Sequence, residues 1–560
     1  MRTRQPASLV AIICPFAATF AGALAEPPLQ VVVLAGSPAP GLRPATFLDL
    51  GTPTLNDDGR VAFYAKTTGN LSGIWSNASP TGGASALALV AQSGAAAPGG
   101  GAFAPLNGTK VLLSNNGRVA FTAVSGVQTG VWSQEGVPLA LVAINGGAVP
   151  SVVGGTFVIG PGDVDPMING NGVVAFRTGY SAPGTPPISN LAAIFAGTPS
   201  NLGIAAQAVM GTPLPEGFNS FVAPIINDRA YLAATGSYHL AASNSNTGGA
   251  FGGGSGTMSA VMLANQEAPG FGPLNPIGVP NTLIGLNNTD AMLFQTDVSG
   301  PGITGANETV LWVNVDGVTS ALVREGDPIP GVAGVFLGEM SSAFLADSGH
   351  VVFTAFLTGP GVTSDNSQAI VRRDPGPTGV LRILARTGTQ APELQAGATI
   401  LGFTSPAMNQ LGQVAFQATV FNPGPGGNGS IYYGTDAAGR LRIAHRGNTQ
   451  HVIAPGVNAL VGDGAALYAS GGTDGRRRSL NIHGEIAFST GYTVVPPPGG
   501  GSAIFIARIP LPADINGDGS VNAADLALLL GAWGSGGATD LDGNGTTDAA
   551  DLSVLLGSWS

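Results

Sequence analysis

A nine-residue pattern recurs eight times along this 560-residue chain, and recurrence at a fixed long period dictates architecture before any single residue does. Leu55-Asn56-Asp57-Asp58-Gly59-Arg60-Val61-Ala62-Phe63 returns as Leu113 through Gly117 to Ala120-Phe121. It returns again as Ile168-Asn169 to Ala175-Phe176, Met408-Asn409 to Ala415-Phe416, and Leu480-Asn481 to Ala487-Phe488. Weaker copies end at Ala234, Phe294 and Phe353, and successive copies stand 55 to 72 residues apart. In each unit an apolar strand enters Asn-x-x-Gly, where Asn and Gly tolerate the positive φ of a tight turn. A Val-Ala-Phe strand follows, then a variable Gly/Pro-rich loop. Two further strands come next, such as Gly73-Ile74-Trp75-Ser76 and Ala86 to Ala91, before a turn such as Ala97-Pro98-Gly99. Four short strands per unit at this period describe a β-propeller blade, since a β-solenoid coil is much shorter.

The ends of the array predict how it closes. The last unit has strands near Ile486–Phe488 and Ala503–Ala507, then lacks a fourth. Leu29-Gln30-Val31-Val32-Val33-Leu34 reads like that strand and has no partner before it. Pairing the two would close the ring and remove exposed sheet edges. Eight blades are expected; seven is the alternative, because the fourth unit, Ile226-Asn227-Asp228-Arg229-Ala230, has lost both Gly and Phe. The motif residues read as structural, with Phe63, Phe121 and Phe176 packing between blades and Asn and Gly setting turns. The array, over residues 29 to 508, resembles the exported bacterial NxxGxxxAF tandem-repeat (choice-of-anchor) proteins. That family carries no established activity and lends no site residues.

The last 47 residues change character. Asp514, Asn516, Asp518, Ser520, Asn522 and Asp525 hold positions 1, 3, 5, 7, 9 and 12 of a loop with Gly519 at position 6. Asp540, Asp542, Asn544, Thr546, Asp548 and Asp551 repeat it 26 residues later, with Gly545 at the turn. Calcium is a hard cation that takes six to eight oxygens from these loop positions, and the sixth needs Gly. Two loops point to two Ca2+ ions. Each runs straight into a helical pattern, Leu526, Leu529, Leu530 and Trp533 in one and Leu552, Leu555, Leu556 and Trp559 in the other. Loop–helix twice, with Asp instead of Glu at position 12, resembles the type I dockerin module over residues 513 to 560. The resemblance implies a folded calcium module that plugs into a cohesin-like receptor. Ala523-Ala524 and Ala549-Ala550 stand where such modules read their partner. The two apolar stripes read as the module's own core, more so for the Leu than the Trp residues.

Met1-Arg2-Thr3-Arg4, an apolar run from Leu9 to Ala25 and Ala23-Leu24-Ala25 describe a secretory signal peptide cleaved after Ala25. The domains expected are therefore a signal peptide at 1–25, a propeller at 26–509 and a dockerin-like domain at 510–560. The single cysteine, Cys14, falls in the first of these, so disulfides do not stabilise the remainder. No later stretch is long and apolar enough to span a membrane as a helix. Charged residues are only 9% and Gly and Pro number 87 and 42, but a 44% apolar fraction excludes a disordered polar chain. A net charge of −11 argues against nucleic acid and anionic membranes as partners.

Catalytic signatures are sparse. His239, His350, His445, His451 and His483 form no metal-binding spacing. Glycosidases need two carboxylates roughly 5 to 10 Å apart. Asp163, Asp165, Glu308, Asp316, Glu325, Asp327, Glu339 and Glu393 are scattered over different units, and surface solvation is the plainer role for most. Loops after the Val-Ala-Phe strands, such as Tyr180–Asn190, His239–Thr257, Gly300–Asn307, Asn422–Gly429 and Val495–Gly501, share one topological position. They are either tolerated insertions or a binding face. The leading reading is an exported, non-catalytic repeat protein that docks through its calcium module. A polysaccharide-active enzyme, glycoside hydrolase or lyase, and a carbohydrate-binding component using Trp75 and Trp132 as a platform stay open as alternatives.

Overall fold

The computed structural model describes residues 28–559 except 82–85, 161, 185–190, 209–216, 281–283, 377–378, 428, 437–438, 511–512, 517–520, 538 and 543. The expected signal peptide, Asp518 and Ser520 lie outside the described residues, as does part of the Tyr180–Asn190 loop. The chain divides into two compact units, one within residues 26–511 and one holding 512–560.

Eight antiparallel sheets form the blades of a propeller in the first unit. In the first blade the innermost strand comes in two pieces, Phe47–Leu50 and Thr54–Leu55, both paired with Val61–Thr67. Leu71–Ser76 and Ala88–Gln92 complete it outward. The ring closes as the chain ends predict: Gln30–Leu34 pairs with Gly500–Arg508 in the register Gln30↔Ile506 and Leu34↔Ala503. The seven-blade alternative fails at the fourth unit, which builds a full blade. Ala230 there takes the glycine's conformation at φ +59°. Ala234 stands where the Phe is lost, and Phe251, opposite it as Trp75 is opposite Phe63, is fully buried against Phe218 and Tyr238.

The Ala-Phe dipeptide follows from strand geometry. Successive side chains point to opposite faces of a sheet. Phe63 and, directly opposite it, Trp75 pack with Val33, Ala487 and Ile504 of the last blade. Ala62 and Ile74 face the other way, onto Phe121 and Trp132 of the second blade. The small residue thus makes room for the next blade's aromatic pair. Each buried aromatic contributes about 1.5–3 kcal/mol. Trp75 and Trp132 are 0% exposed and donate their indole N–H to the oxygens of Pro40 and Pro98, both at 3.0 Å. Neither is a sugar platform.

The motif Asn does more than set a turn. Asn227 Oδ1 accepts the N–H groups of Arg229 and Tyr231 at 3.0 and 2.9 Å, fixing its own turn. Its Nδ2 crosses to the next blade and donates to Asn287 O at 2.7 Å. Asn169 reaches Asn227 O, Asn287 reaches Ala346 O, and Asn409 reaches Asn481 O in the same way. Only a neutral amide is acceptor and donor at once in this geometry. Where the second and sixth units lack the Asn, having Ser114 and Ala346, main-chain bonds bridge instead: Asn116 N to Gly170 O and Ser348 N to Gln410 O, both 3.0 Å.

Candidate calcium loops and the plugged propeller axis

The C-terminal unit is built on its two loops and two helices, α1 (Ala523–Gly531) and α2 (Ala549–Gly557). In the second loop the ligand atoms of Asp540, Asp542 and Asp551 all lie within 4.8 Å of one another. Asp551, fully buried, accepts N–H groups from Leu541 and Asp542 on Oδ1 and from Asp548 on Oδ2, at 2.5, 3.0 and 2.7 Å. Burial alone raises its pKa, but those backbone donors outweigh burial and hold the carboxyl below its usual range. Gly545 turns the loop at φ +97° and donates to Asp540 Oδ2 at 2.8 Å. Asn544 receives Thr546 N–H at 2.9 Å, and Asp548 caps α2 by accepting from Ala550 N at 2.7 Å. In the first loop Asp525 repeats the arrangement, accepting from Ile515, Asn516 and Asn522 at 2.7, 3.0 and 2.9 Å, while Asn522 caps α1. Convergent hard oxygens around a tight glycine turn fit a calcium ion and no softer metal.

The helix stripes separate into two roles. Leu529 and Leu555 are 0% exposed and form the core with Val521, Thr547 and the two buried Asp residues. Leu530, Trp533, Leu556 and Trp559 are about half exposed. The Leu-over-Trp expectation for the core therefore holds for one of the three Leu in each stripe, with Leu526 and Leu552 half-buried.

The propeller axis is closed. Between the inner strand Val457–Gly464 and Glu485–Val495 the chain leaves the eighth blade, and Ser470–Ser479 lies across the ring. Arg478 O receives Leu55 N at 2.9 Å, Gly475 O receives Ile168 N at 3.0 Å, Asp474 O receives Ile226 N at 3.2 Å, and Ser470 O receives Met408 N at 2.9 Å. Arg476 donates to Ile284 O at 2.7 Å and Thr473 to Asp347 Oδ1 at 2.8 Å. Arg478 pairs with Asp57 at 3.2 Å and also bonds Asn115 Oδ1. One segment thus touches the other seven blades. Gly475, at φ +79°, lies against them: a Cβ there would stand 2.8 Å from Ile226 Cγ2. The space left beside Thr473 and Arg476 is about 10 Å³, room for no more than one water. Sequence reasoning passed over this plug. Its signals were the Arg476-Arg477-Arg478 triplet in an acidic chain and the 72-residue gap between the last two motif copies, the longest of the set.

The scattered acids are engaged separately. Asp165 pairs with Lys110 and Glu393 with Arg442, while Asp163 accepts from Gly160 N and Asp327 from Arg324 N. Burial, then the charges of Glu308 and Asp297, lift Glu325 above the ordinary carboxylate range at the end of an outer strand. His445 and His451, six apart in sequence, meet with ring centroids 5.4 Å apart. Burial pushes His445 down to about 3.

Residues 512–556 match the type I dockerin domain. Such domains bind calcium, dock onto cohesins and are typically found on extracellular proteins. Among the described residues no helix is long and apolar enough to cross a membrane. No curated protein matches the chain. Solved structures similar to it include the β-propeller domain of the Trilobed protease from Pyrococcus furiosus, at 9% identity over 69% of this chain and 95% of that one, with a TM-score of 0.35. The Dos1 propeller is similar at 9% identity over 83% and 95%, TM-score 0.35. An α-L-arabinofuranosidase from Fusarium graminearum is similar at 10% identity over 57% and 91%, TM-score 0.26. Likenesses this distant carry no argument about activity. Over residues 69–514 the chain matches a family of unknown function (DUF7453), and it belongs to that family.

Proposed function

We propose that this protein is an exported, non-catalytic component of an extracellular assembly. Its C-terminal module couples it to a cohesin-like receptor when calcium is bound, and its propeller is the binding or spacing scaffold so displayed. The observation that carries this reading is the dockerin match on a unit whose second loop already gathers Asp540, Asp542 and Asp551. In this reading two ions are held, one by Asp514, Asn516, Asp518, Ser520, Asn522 and Asp525, the other by Asp540, Asp542, Asn544, Thr546, Asp548 and Asp551. Residues 1–25 are removed on export, 26–509 form the scaffold and 510–560 the dock. The non-catalytic part is supported at the axis, where Asp57, Asp347 and Asp474 are tied to Arg478, Thr473 and Arg476 and the plug fills the space.

The test uses the full-length mature chain, immobilised and exposed to cohesin domains and to the producing cell's secreted and envelope fractions. A cohesin-bearing partner should be retained in calcium, released by EDTA and lost in the Asp525→Ala/Asp551→Ala double variant. Retention that ignores EDTA and the double variant would sink the docking role.

A further inference from the structure

A cleft of about 690 Å³ opens where the seventh blade faces the eighth, within the size range of small-ligand sites. None of its lining residues belongs to the plug. Ala415 packs toward the eighth blade, and Gln417 and Thr419 follow it on the same strand face at period two. Across from them stands Asp463 of the eighth blade, and Phe403, Thr404 and Ser430 complete the walls. Gly402 keeps the cleft open: its φ is not in the left-handed region, and a Cβ there would meet nothing within 4 Å.

The chemistry of the walls selects a ligand class. Gln417 Nε2 is used internally, donating to Ser430 Oγ at 2.9 Å and Gly464 O at 3.0 Å. That orientation leaves Gln417 Oε1 as an acceptor with no hydrogen bond from the described residues. Thr419, exposed, likewise makes no side-chain bond to a described residue. Asp463 adds a carboxylate, while no Lys, Arg or His among the described residues lines the cleft. Acceptors without a cation reject anions and suit a ligand rich in hydroxyl donors. Arg446, 8% exposed, spreads its guanidinium over the carbonyls of Pro423 (2.9 Å), Gly424 (2.6 Å) and Pro425 (3.0 Å) in the loop between Val420 and Gly429.

We infer that this cleft between the seventh and eighth blades is a binding site for a neutral oligosaccharide, with Gln417, Thr419 and Asp463 accepting its hydroxyls. The site lies in the propeller and is independent of docking, which is read by partner retention on residues 512–560; either can fail alone.

The test titrates the full-length chain in calcium with xylohexaose, cellohexaose, laminarihexaose and arabinohexaose, and with polygalacturonate as the anionic comparison. At least one neutral hexasaccharide should bind, and Gly402→Trp should weaken it tenfold or more without lowering the melting temperature. Thr419→Val, exposed and outside any core, should weaken it severalfold and carries the test if the Trp variant fails to fold. No neutral binding at millimolar ligand, binding unchanged in both variants, or preference for polygalacturonate would each overturn the inference.

Discussion

Asn481 donates its side-chain amide to the main-chain oxygen of Asn56 at 3.3 Å, across 425 residues of sequence. This bond joins the last motif copy to the first and continues around the seam the same blade-to-blade link made by Asn169, Asn227, Asn287 and Asn409. The strand pairing of Gln30–Leu34 closes the outer edge of the last blade, and this amide closes the inner one.

Asn409→Asp should therefore destabilise the propeller more than Asn409→Ala. The carboxylate keeps the acceptor for Leu411 and Gln413 N–H but loses the donor to Asn481 O and buries a charge. Removing a buried hydrogen-bond partner costs about 1–3 kcal/mol, and more when a charge is left in its place. Urea unfolding midpoints of the two variants against the parent check the order.

Arg478→Ala removes the ion pair with Asp57 and the bond to Asn115 that seat the plug on the first two blades. Breaking a buried pair by deleting one partner costs about 3–5 kcal/mol, here toward the low end because Asp57 is 17% exposed. Arg478→Lys should recover part of the loss, since it restores charge without the two-pronged geometry. Thermal melts and proteolysis within 470–479 report both.

Asp551→Ala deletes a carboxylate proposed to hold the second ion, together with the acceptor of three backbone N–H groups from Leu541, Asp542 and Asp548. Calcium affinity of that loop should fall at least a hundredfold. Chelation of the parent should melt α1 and α2, because in small metal modules binding free energy supplies folding free energy. Calorimetric titration gives the stoichiometry, two in the parent and one in the variant, and circular dichroism follows the helices.

His445 sets an acid limit. It is buried beside Phe488 and stays neutral in the folded chain down to about pH 3, whereas in the unfolded chain it titrates near 6.5. Below pH 6.5 the unfolded state binds the extra proton, so stability falls by about 1.4 kcal/mol per pH unit until the folded pKa is reached. Denaturant unfolding from pH 7 to 4 should show this slope, and His445→Gln should flatten it.

The sequence alone determined the number of blades, the order of strands within each, the strand that closes the ring and the convergence of Asp540, Asp542 and Asp551. All of these rest on local rules, a period of two along strands, turn chemistry at Asn-x-x-Gly and fixed ligand spacing, which short stretches of chain express by themselves. The loss of Gly and Phe in the fourth unit was legible as a defect. Only packing showed that Phe218, Phe221 and Tyr238 gather on Phe251 in that blade. The plug, the amide links between blades and the meeting of His445 with His451 were decided by tertiary structure. Each depends on groups brought together by ring closure, across separations such as the 425 residues between Asn56 and Asn481, and no periodicity records which carbonyl will stand opposite a given amide. The same holds for the half-exposed Leu530, Trp533, Leu556 and Trp559: helical spacing marks an apolar stripe, but what covers it is a property of the assembled surface.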